Sequence, residues 1–556
     1  MKKLFFIFLW LISITLNAAT YYVAPSTASP AGNDAAVGDI THPWLTWAHA
    51  MGQVSAGDIV YFRGGVYPIT SHIYLTSSYT VTGTHAHPIG YYAYPGEVPI
   101  FDGTTHPSTY GQVYGLYCQD LNYIHFKGLV FRYFTQKQNN DQANGAGCMT
   151  SNQITFENCV SYGNGGHGFS VYDCDTVTFI NCDSYNNCDV LQVGYPGGTA
   201  DGFTSATDGY RAAGCITYYG CRAWGNSDDG FNDVSDEKCV MDHCWAWDNG
   251  RLSGDGNGFK PGWMNADVNP VGRRIVNCIS AYNRAIGFHE NCFSGQSRMN
   301  MQVYNNVAYR NGVWGFCSRI VSGSTHLENQ NIYRNNIAYD NTPTDYSVED
   351  ESYWVHDHNT WDLAVTVTDA DFLSIDSTGI SGARQADGSL PDLDFLKLAS
   401  TSDLINRGVD VGLDYEGTYP DLGYAEYEEQ DPAVDPTVVM ITSLYPSTTY
   451  ALVTSSVTDD GGGTVSARGV CWGTSANPTT ADSHTTNGTG DGSFNSTLTP
   501  LIANTTYHAR AYATNEAGTS YSADSQFQTL TLTEKINIGT GGKPVFSNGK
   551  WIYVKQ

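Results

Sequence analysis

Three short segments hold the residues with the most chemistry in them. They are Thr199-Ala200-Asp201-Gly202-Phe203, Ser227-Asp228-Asp229-Gly230-Phe231-Asn232-Asp233 and Gly254-Asp255-Gly256-Asn257-Gly258-Phe259-Lys260. Aligned on their Gly-Phe pairs, they place Asp201, Asp229 and Asn257 at one position and Thr204, Asn232 and Lys260 at another. Asp228 adds a carboxylate beside Asp229, and Asp233 follows Asn232. If successive segments lie side by side, these carboxylates repel one another and need a proton or a cation to coexist. Ca²⁺ suits such a set, because it takes about six to eight oxygen ligands in tolerant geometry. Asp-Gly is also a turn signal in its own right, so the alignment, and no single residue, points to a cation site.

The scarcity of lysine narrows the choice of a base. Between Asn139 and Leu396 there are two, Lys238 and Lys260. Lys238 stands among Asp236, Glu237 and Asp242, where a surface ion pair is its expected fate. Lys260 stands in a glycine-dense frame that lets another chain approach closely. Asn257, Trp263, Arg284 and His289 fall near the same edge as candidates for substrate contact, although each serves equally well as a structural residue.

The elements that would bring these segments together are visible as a repeat. Gly-Phe pairs begin at Gly168, Gly202, Gly230, Gly258, Gly287 and Gly315, at intervals of 34, 28, 28, 29 and 28 residues. In phase with them runs a small residue followed by an aromatic: Ser161-Tyr162, Ser184-Tyr185, Ala223-Trp224, Ala246-Trp247, Ala281-Tyr282, Ala308-Tyr309 and Ala338-Tyr339, with Asn close behind. Such periods mean stacked repeats. Short strands between Gly and Asn turns, without amphipathic helices, predict an all-β chain: a right-handed parallel β-helix whose equivalent residues stack about 4.8 Å apart. Both aromatic series are expected to fill its interior. Trp44–Met51 reads as a short capping helix before a strand at 57–62.

The domain pattern expected is a signal peptide at 1–18, the β-helix at 19–427, an acidic linker at 428–436, a small β-sandwich at 437–530 and a tail at 531–556. Lys2 and Lys3, the apolar run Leu4–Leu16 and small Ala18 and Ala19 suggest export. No later stretch reaches the about 20 apolar residues of a membrane-spanning helix. In the sandwich, Leu501 and Tyr507 resemble the tyrosine corner of a fibronectin type III module. Asn548-Gly549 in the tail reads as a hairpin turn. The formal net charge of −28 argues against nucleic acid as a partner. It also means that an acidic polymer would be held through a bridging cation. Most of the 14 cysteines fall one per repeat, as a ladder of thiols or as pairs between rungs such as Cys159 with Cys182.

The three segments, together with Cys221-Arg222-Ala223-Trp224-Gly225-Asn226, resemble polysaccharide lyase family 9, over residues 20 to about 425. The resemblance implies a calcium-dependent enzyme that cuts an acidic plant cell-wall polysaccharide by β-elimination, polygalacturonate first and rhamnogalacturonan I next; a secreted monomer is expected. Asp201, Asp228 and Asp229 match its calcium ligands and Lys260 its catalytic base. The family has a further Asp where this chain has Asn232, so either the Asn232 amide or Asp233 would complete the site. Two rivals stand beside this reading. A β-helix pectin hydrolase would use paired aspartates, but its His-Gly element follows both acidic motifs, whereas His167 precedes them. A non-catalytic carbohydrate-binding surface protein would leave Lys260 without a role.

Overall fold

The computed structural model describes residues 18–531 and 542–555, apart from 79, 107–111, 208–213, 236–237, 263–271, 292–299, 319–329, 349–353, 428–432, 441–444 and 548–549. Nearly all of the expected signal peptide, most of the linker, Trp263 and the Asn548-Gly549 turn thus lie outside the described residues. The chain divides into two compact units, residues 1–427 and 428–556.

The first unit is a right-handed parallel β-helix of three sheets. Each coil contributes one strand to each sheet, as in Asn152–Glu157, Val160–Tyr162 and Phe169–Tyr172, before the next coil begins at Thr176–Ile180. Among the described residues the first sheet has 12 strands and the second and third have 10 each. The third sheet carries Phe203–Ala206, Phe231–Val234 and Phe259–Pro261, and so the three segments singled out above.

Register follows the Gly-Phe pairs. Phe203 pairs with Phe231 and Phe231 with Phe259. From Phe169 through Phe203, Phe231, Phe259 and Phe288 to Phe316 the rings stack face to face inside the helix, with centroids 4.8–5.2 Å apart. The glycine before each Phe is required by the closeness of the coils. A Cβ on Gly202 would lie 2.6 Å from the Gly230 carbonyl, and one on Gly230 2.7 Å from that of Gly258.

The second aromatic series behaves differently from expectation. Tyr162, Tyr185, Trp224 and Trp247 also stack, at 4.8, 4.3 and 4.7 Å, but on the outside of the helix. Strand alternation explains this: the small residue of each pair, such as Ser161, Ser184, Ala223 or Ala246, is the one turned inward and fully buried. In the later coils the outer face packs under the chain's own return segment, where Phe372, Phe395, Leu398 and Leu422 cover Trp245, Trp247 and Tyr309.

Behind the outer aromatics runs a buried ladder of amides: Asn164, Asn187, Asn226, Asn249, Asn283, Asn311 and Asn341. Each side-chain NH₂ donates to the next side-chain carbonyl at 2.9–3.0 Å. A second turn carries Cys159, Cys182, Cys221, Cys244 and Cys278, then changes to Asn306, Asn336 and Asn359. The cysteines are free thiols, Cys159 and Cys182 included, and donate to backbone carbonyls. At the N-terminal end the helix Trp47–Met51, capped by the Thr46 hydroxyl accepting from the His49 N–H, seats Trp47 against Phe62 and Phe101.

The second unit has two antiparallel sheets that form a sandwich. Its core includes Val453, Val470, Phe494 and Tyr507, and the Tyr507 hydroxyl accepts a hydrogen bond from the Ile502 N–H at 3.0 Å. Residues 542–547 and 550–555 pair as antiparallel strands.

The amide ladder yields a stability prediction. Replacing Asn226 by Ala removes the acceptor for the Asn187 backbone and side-chain N–H groups and leaves both buried. The expected loss is about 3 kcal/mol, read as a lowered denaturant midpoint. An unchanged midpoint would show that the ladder contributes nothing net.

Candidate functional site

The parallel register makes Asp201, Asp229 and Asn257 neighbours on consecutive coils, each two residues before a core Phe. The Asp201 carboxylate accepts from the Asp229 N–H at 3.1 Å. The Asp229 carboxylate in turn accepts from the Asn257 backbone and side-chain N–H groups at 2.7 and 2.8 Å. Asp228, in the turn beside them, accepts from the Asp255 N–H at 2.5 Å. One carboxylate oxygen from each of Asp201, Asp228 and Asp229 lies within 4.8 Å of the others. All three residues are buried, with exposures of 1, 6 and 0%.

This concentration of charge shifts the groups involved. Burial first, and then Asp229 and Asp201, push the Asp228 carboxyl up to about 10. Burial also raises Asp229, to about 6, against the pull of Lys260. On the next coil the Lys260 ammonium lies 2.9 Å from Asp229 and 2.7 Å from Asp255. Burial favours the neutral amine, but Asp229, Asp255 and Asp228 outweigh it and hold Lys260 protonated. Lys260 stands one rung from Asn232, on the outward face of the third sheet.

The donor set fits a hard divalent cation. Three carboxylates converge, and the Asn232 side-chain carbonyl is buried without a hydrogen-bond partner, while its NH₂ donates to Asp201 at 3.1 Å. Asp233 is not part of this set. One residue further along the strand it points to the opposite, inner face, where its carboxylate binds the Arg273 guanidinium, the Ser205 hydroxyl and the Ser235 N–H. Of the two residues offered to complete the cluster, Asn232 is the one so placed.

The proposed substrate contacts divide. Asn257 is 3% exposed; its N–H groups are committed to Asp229, and its carbonyl accepts from the Ile286 N–H at 3.2 Å. It orients Asp229 rather than facing a groove. The Arg284 guanidinium donates to the Leu252 carbonyl at 2.6 Å and to the Gly254 carbonyl, bracing the loop that carries Asp255. His289 directly follows Phe288, which pairs with Phe259, so it sits one rung beyond Lys260.

Three residues at the site were not assigned to it from the sequence. Asp255 holds Lys260 and is itself held by the Tyr195 hydroxyl at 2.9 Å. Both lie in loops, which an alignment on strand residues does not reach. His167, whose Nδ1 is 3.3 Å from an Asp201 oxygen, was within reach of that alignment. It stands two residues before Phe169, as Asp201 does before Phe203.

Comparisons with known proteins show what the chain as a whole is similar to. Residues 21–331 match the family model described as "Pel9A-like, right handed beta helix region". Pectate lyase L of Dickeya dadantii (strain 3937) is 31% identical over 423 residues, covering 73% of this chain and 90% of the relative. Pectate lyase PEL9 of Emericella nidulans is 29% identical, covering 68% and 92%. The crystal structure of pectate lyase Pel9A superposes with a TM-score of 0.59 at 28% identity, covering 74% of this chain and 96% of that one. A rhamnogalacturonan lyase also reaches 0.59, at 25% identity, covering 69% and 97%. The chain belongs to the Pel9A-like right-handed β-helix family and is a polysaccharide lyase.

The raised carboxyls make a prediction about pH. An acid whose folded pKa is raised stabilises the fold while protonated and loses that contribution as pH climbs from the unfolded value toward the folded one. For Asp229 the loss falls between about pH 4 and 6, and for Asp228 it continues toward about 10. With chelator present, Tm should therefore fall from pH 5 to 8, and Asp228→Asn should flatten the fall. Identical pH dependence in the variant would contradict the charge assignment.

Proposed function

We propose that this protein is a secreted, calcium-dependent lyase that cleaves pectic polysaccharide by β-elimination, with polygalacturonate the first expected substrate and rhamnogalacturonan I the next. The observation that carries the reading is a single lysine whose ammonium sits 2.9 Å from a buried three-carboxylate cluster. The curated relatives at about 30% identity are pectate lyases, which favours polygalacturonate. Export is supported by Lys2, Lys3 and the apolar run Leu4–Leu16. Among the described residues, no helix is long and apolar enough to cross a membrane. A fibronectin type III-like second unit is supported by the bond between Ile502 and Tyr507.

Asp201, Asp228, Asp229 and the Asn232 carbonyl are the residues that would hold calcium. When bound, calcium supplies positive charge to the substrate carboxylate, offsetting the repulsion from the acidic site and the charge that builds up as the neighbouring C–H is ionised. The chain's own residues do the rest. Lys260, as the neutral amine, takes the C5 proton of the uronate. The electron pair left on C5 forms the C4–C5 double bond, and the C4–O4 bond breaks with its electron pair leaving on O4 of the departing chain, which takes up a proton from water. Asp255 keeps the Nζ aimed, and Arg284 and Tyr195 hold Asp255 in place. A hydrolase reading fits less well. Its two carboxylates would flank a glycosidic bond, whereas Asp201, Asp228 and Asp229 converge on one point.

Lys260→Ala should lower the turnover of polygalacturonate by about a thousandfold or more and leave calcium affinity, titrated calorimetrically, in place. Retained turnover would remove Lys260 as the base. Because nearby carboxylates favour the ammonium, the neutral amine becomes available only as pH rises. The rate should climb on the alkaline side in the wild type, and a flat profile from acid to alkaline pH would count against the assignment.

A further inference from the structure

The first sheet, a different face of the β-helix from the one that carries Lys260, has its own outward row: Tyr22, Tyr61, Tyr92, Lys127 and Glu157 on consecutive coils. The rings of Tyr22 and Tyr61 are 5.8 Å apart and those of Tyr61 and Tyr92 6.0 Å. Tyr61, Tyr92 and Lys127 of this row form one wall of a cleft of about 630 Å³ at the corner with the second sheet. Val98, Val130 and Val160 line the other side, and Val98 is 55% exposed. Polar groups edge the aromatic wall. The Tyr92 hydroxyl meets His125 at 3.2 Å, and Lys127 and His125 meet Glu157 at 2.7 and 3.0 Å. The Asn158 side-chain carbonyl, also lining the cleft, is buried without a hydrogen-bond partner.

We infer that this cleft is a second, non-catalytic binding site for a stretch of the polysaccharide chain. A pyranose presents C–H groups on its faces and hydroxyls at its edge, and so asks for an aromatic wall with polar groups along its border. Tyrosines set one coil apart along the helix axis offer one ring for about each rung height of 4.8 Å, a spacing suited to an extended sugar polymer rather than a compact ligand. The cleft volume suits a few sugar units. Its Lys127 is paired with Glu157 and its Glu97 with Arg63, so it is locally neutral in a chain of net charge −28, and a polyuronate can approach it without a bridging cation. That the ligand is pectic rests on the function proposed above; the site itself does not.

The test uses the full chain carrying Lys260→Ala, to hold turnover off, with chelator present to remove cation bridging at the catalytic face. Affinity electrophoresis in a gel containing polygalacturonate should show retardation. Adding Tyr61→Ala with Tyr92→Ala should weaken the apparent affinity by about tenfold. Val98→Asp, which places a carboxylate in the cleft from an exposed position and leaves the tyrosines in place, should do the same. In a chain with Lys260 intact, the tyrosine changes should leave the turnover of trigalacturonate unaltered. Undiminished retardation in the folded Val98→Asp chain would overturn the inference. So would a loss of trigalacturonate turnover parallel to the loss of retardation, which would mark damage to the fold. Failure of the wild type to cleave polygalacturonate would sink the proposed activity, while the retardation assay would still decide the cleft on its own.

Discussion

In a parallel β-helix a residue cannot choose its neighbour: the same position one coil on is always about 4.8 Å away. Whatever type the sequence puts at a position, it stacks on its own kind if the repeat is kept. For Phe169 to Phe316 this gives a continuous face-to-face column, and for Asn164 to Asn341 a chain in which each amide satisfies the next. The same rule applied to aspartate is costly. Asp201 and Asp229 are forced together on successive rungs, Asp228 adds to the crowd, and all three are out of water.

That cost gives the site its character. Two carboxyls are driven toward their neutral forms, and the Lys260 ammonium is drawn onto Asp229. In this state the lysine is a counter-ion and cannot act as a base. Under the proposed function, a metal ion on the carboxylates would take Asp229 from it and leave Asp255, 2.7 Å away, as its remaining partner. Under that proposal, cation binding would weaken the charge that keeps the lysine protonated, so the three aspartates would bear on Lys260 as well as on a cation. Asp255 is itself braced, by Arg284 on the loop carbonyls and by Tyr195 on the carboxylate.

Much of this was legible in the sequence because a solenoid turns spacing into contact. The Gly-Phe intervals alone were enough to align Asp201 with Asp229 and Asn232 with Lys260, and both pairings are one rung apart in the structure. What the spacing left open was which way a side chain faces. Asp233 read as a spare ligand because it is adjacent in sequence, yet adjacency in a strand means opposite faces, and it is buried against Arg273. The outer aromatics were misplaced for the same reason, since either member of a Ser-Tyr or Ala-Trp pair could have been the inward one. Asp255 and Tyr195 come from loops, whose paths follow no repeat. Asn257 and Arg284, read as substrate contacts, lie beside the cluster with hydrogen bonds that hold Asp229 and the Asp255 loop.

The central claim is that the stacked carboxylates and Lys260 together carry out a cation-dependent elimination. Ultraviolet absorbance during incubation with polygalacturonate, and separately with rhamnogalacturonan I, with and without chelator, tests it most directly. Absorbance from the unsaturated product should rise, most strongly with polygalacturonate, and the chelator should stop it. New reducing ends without absorbance, or absorbance indifferent to the chelator, would contradict the claim.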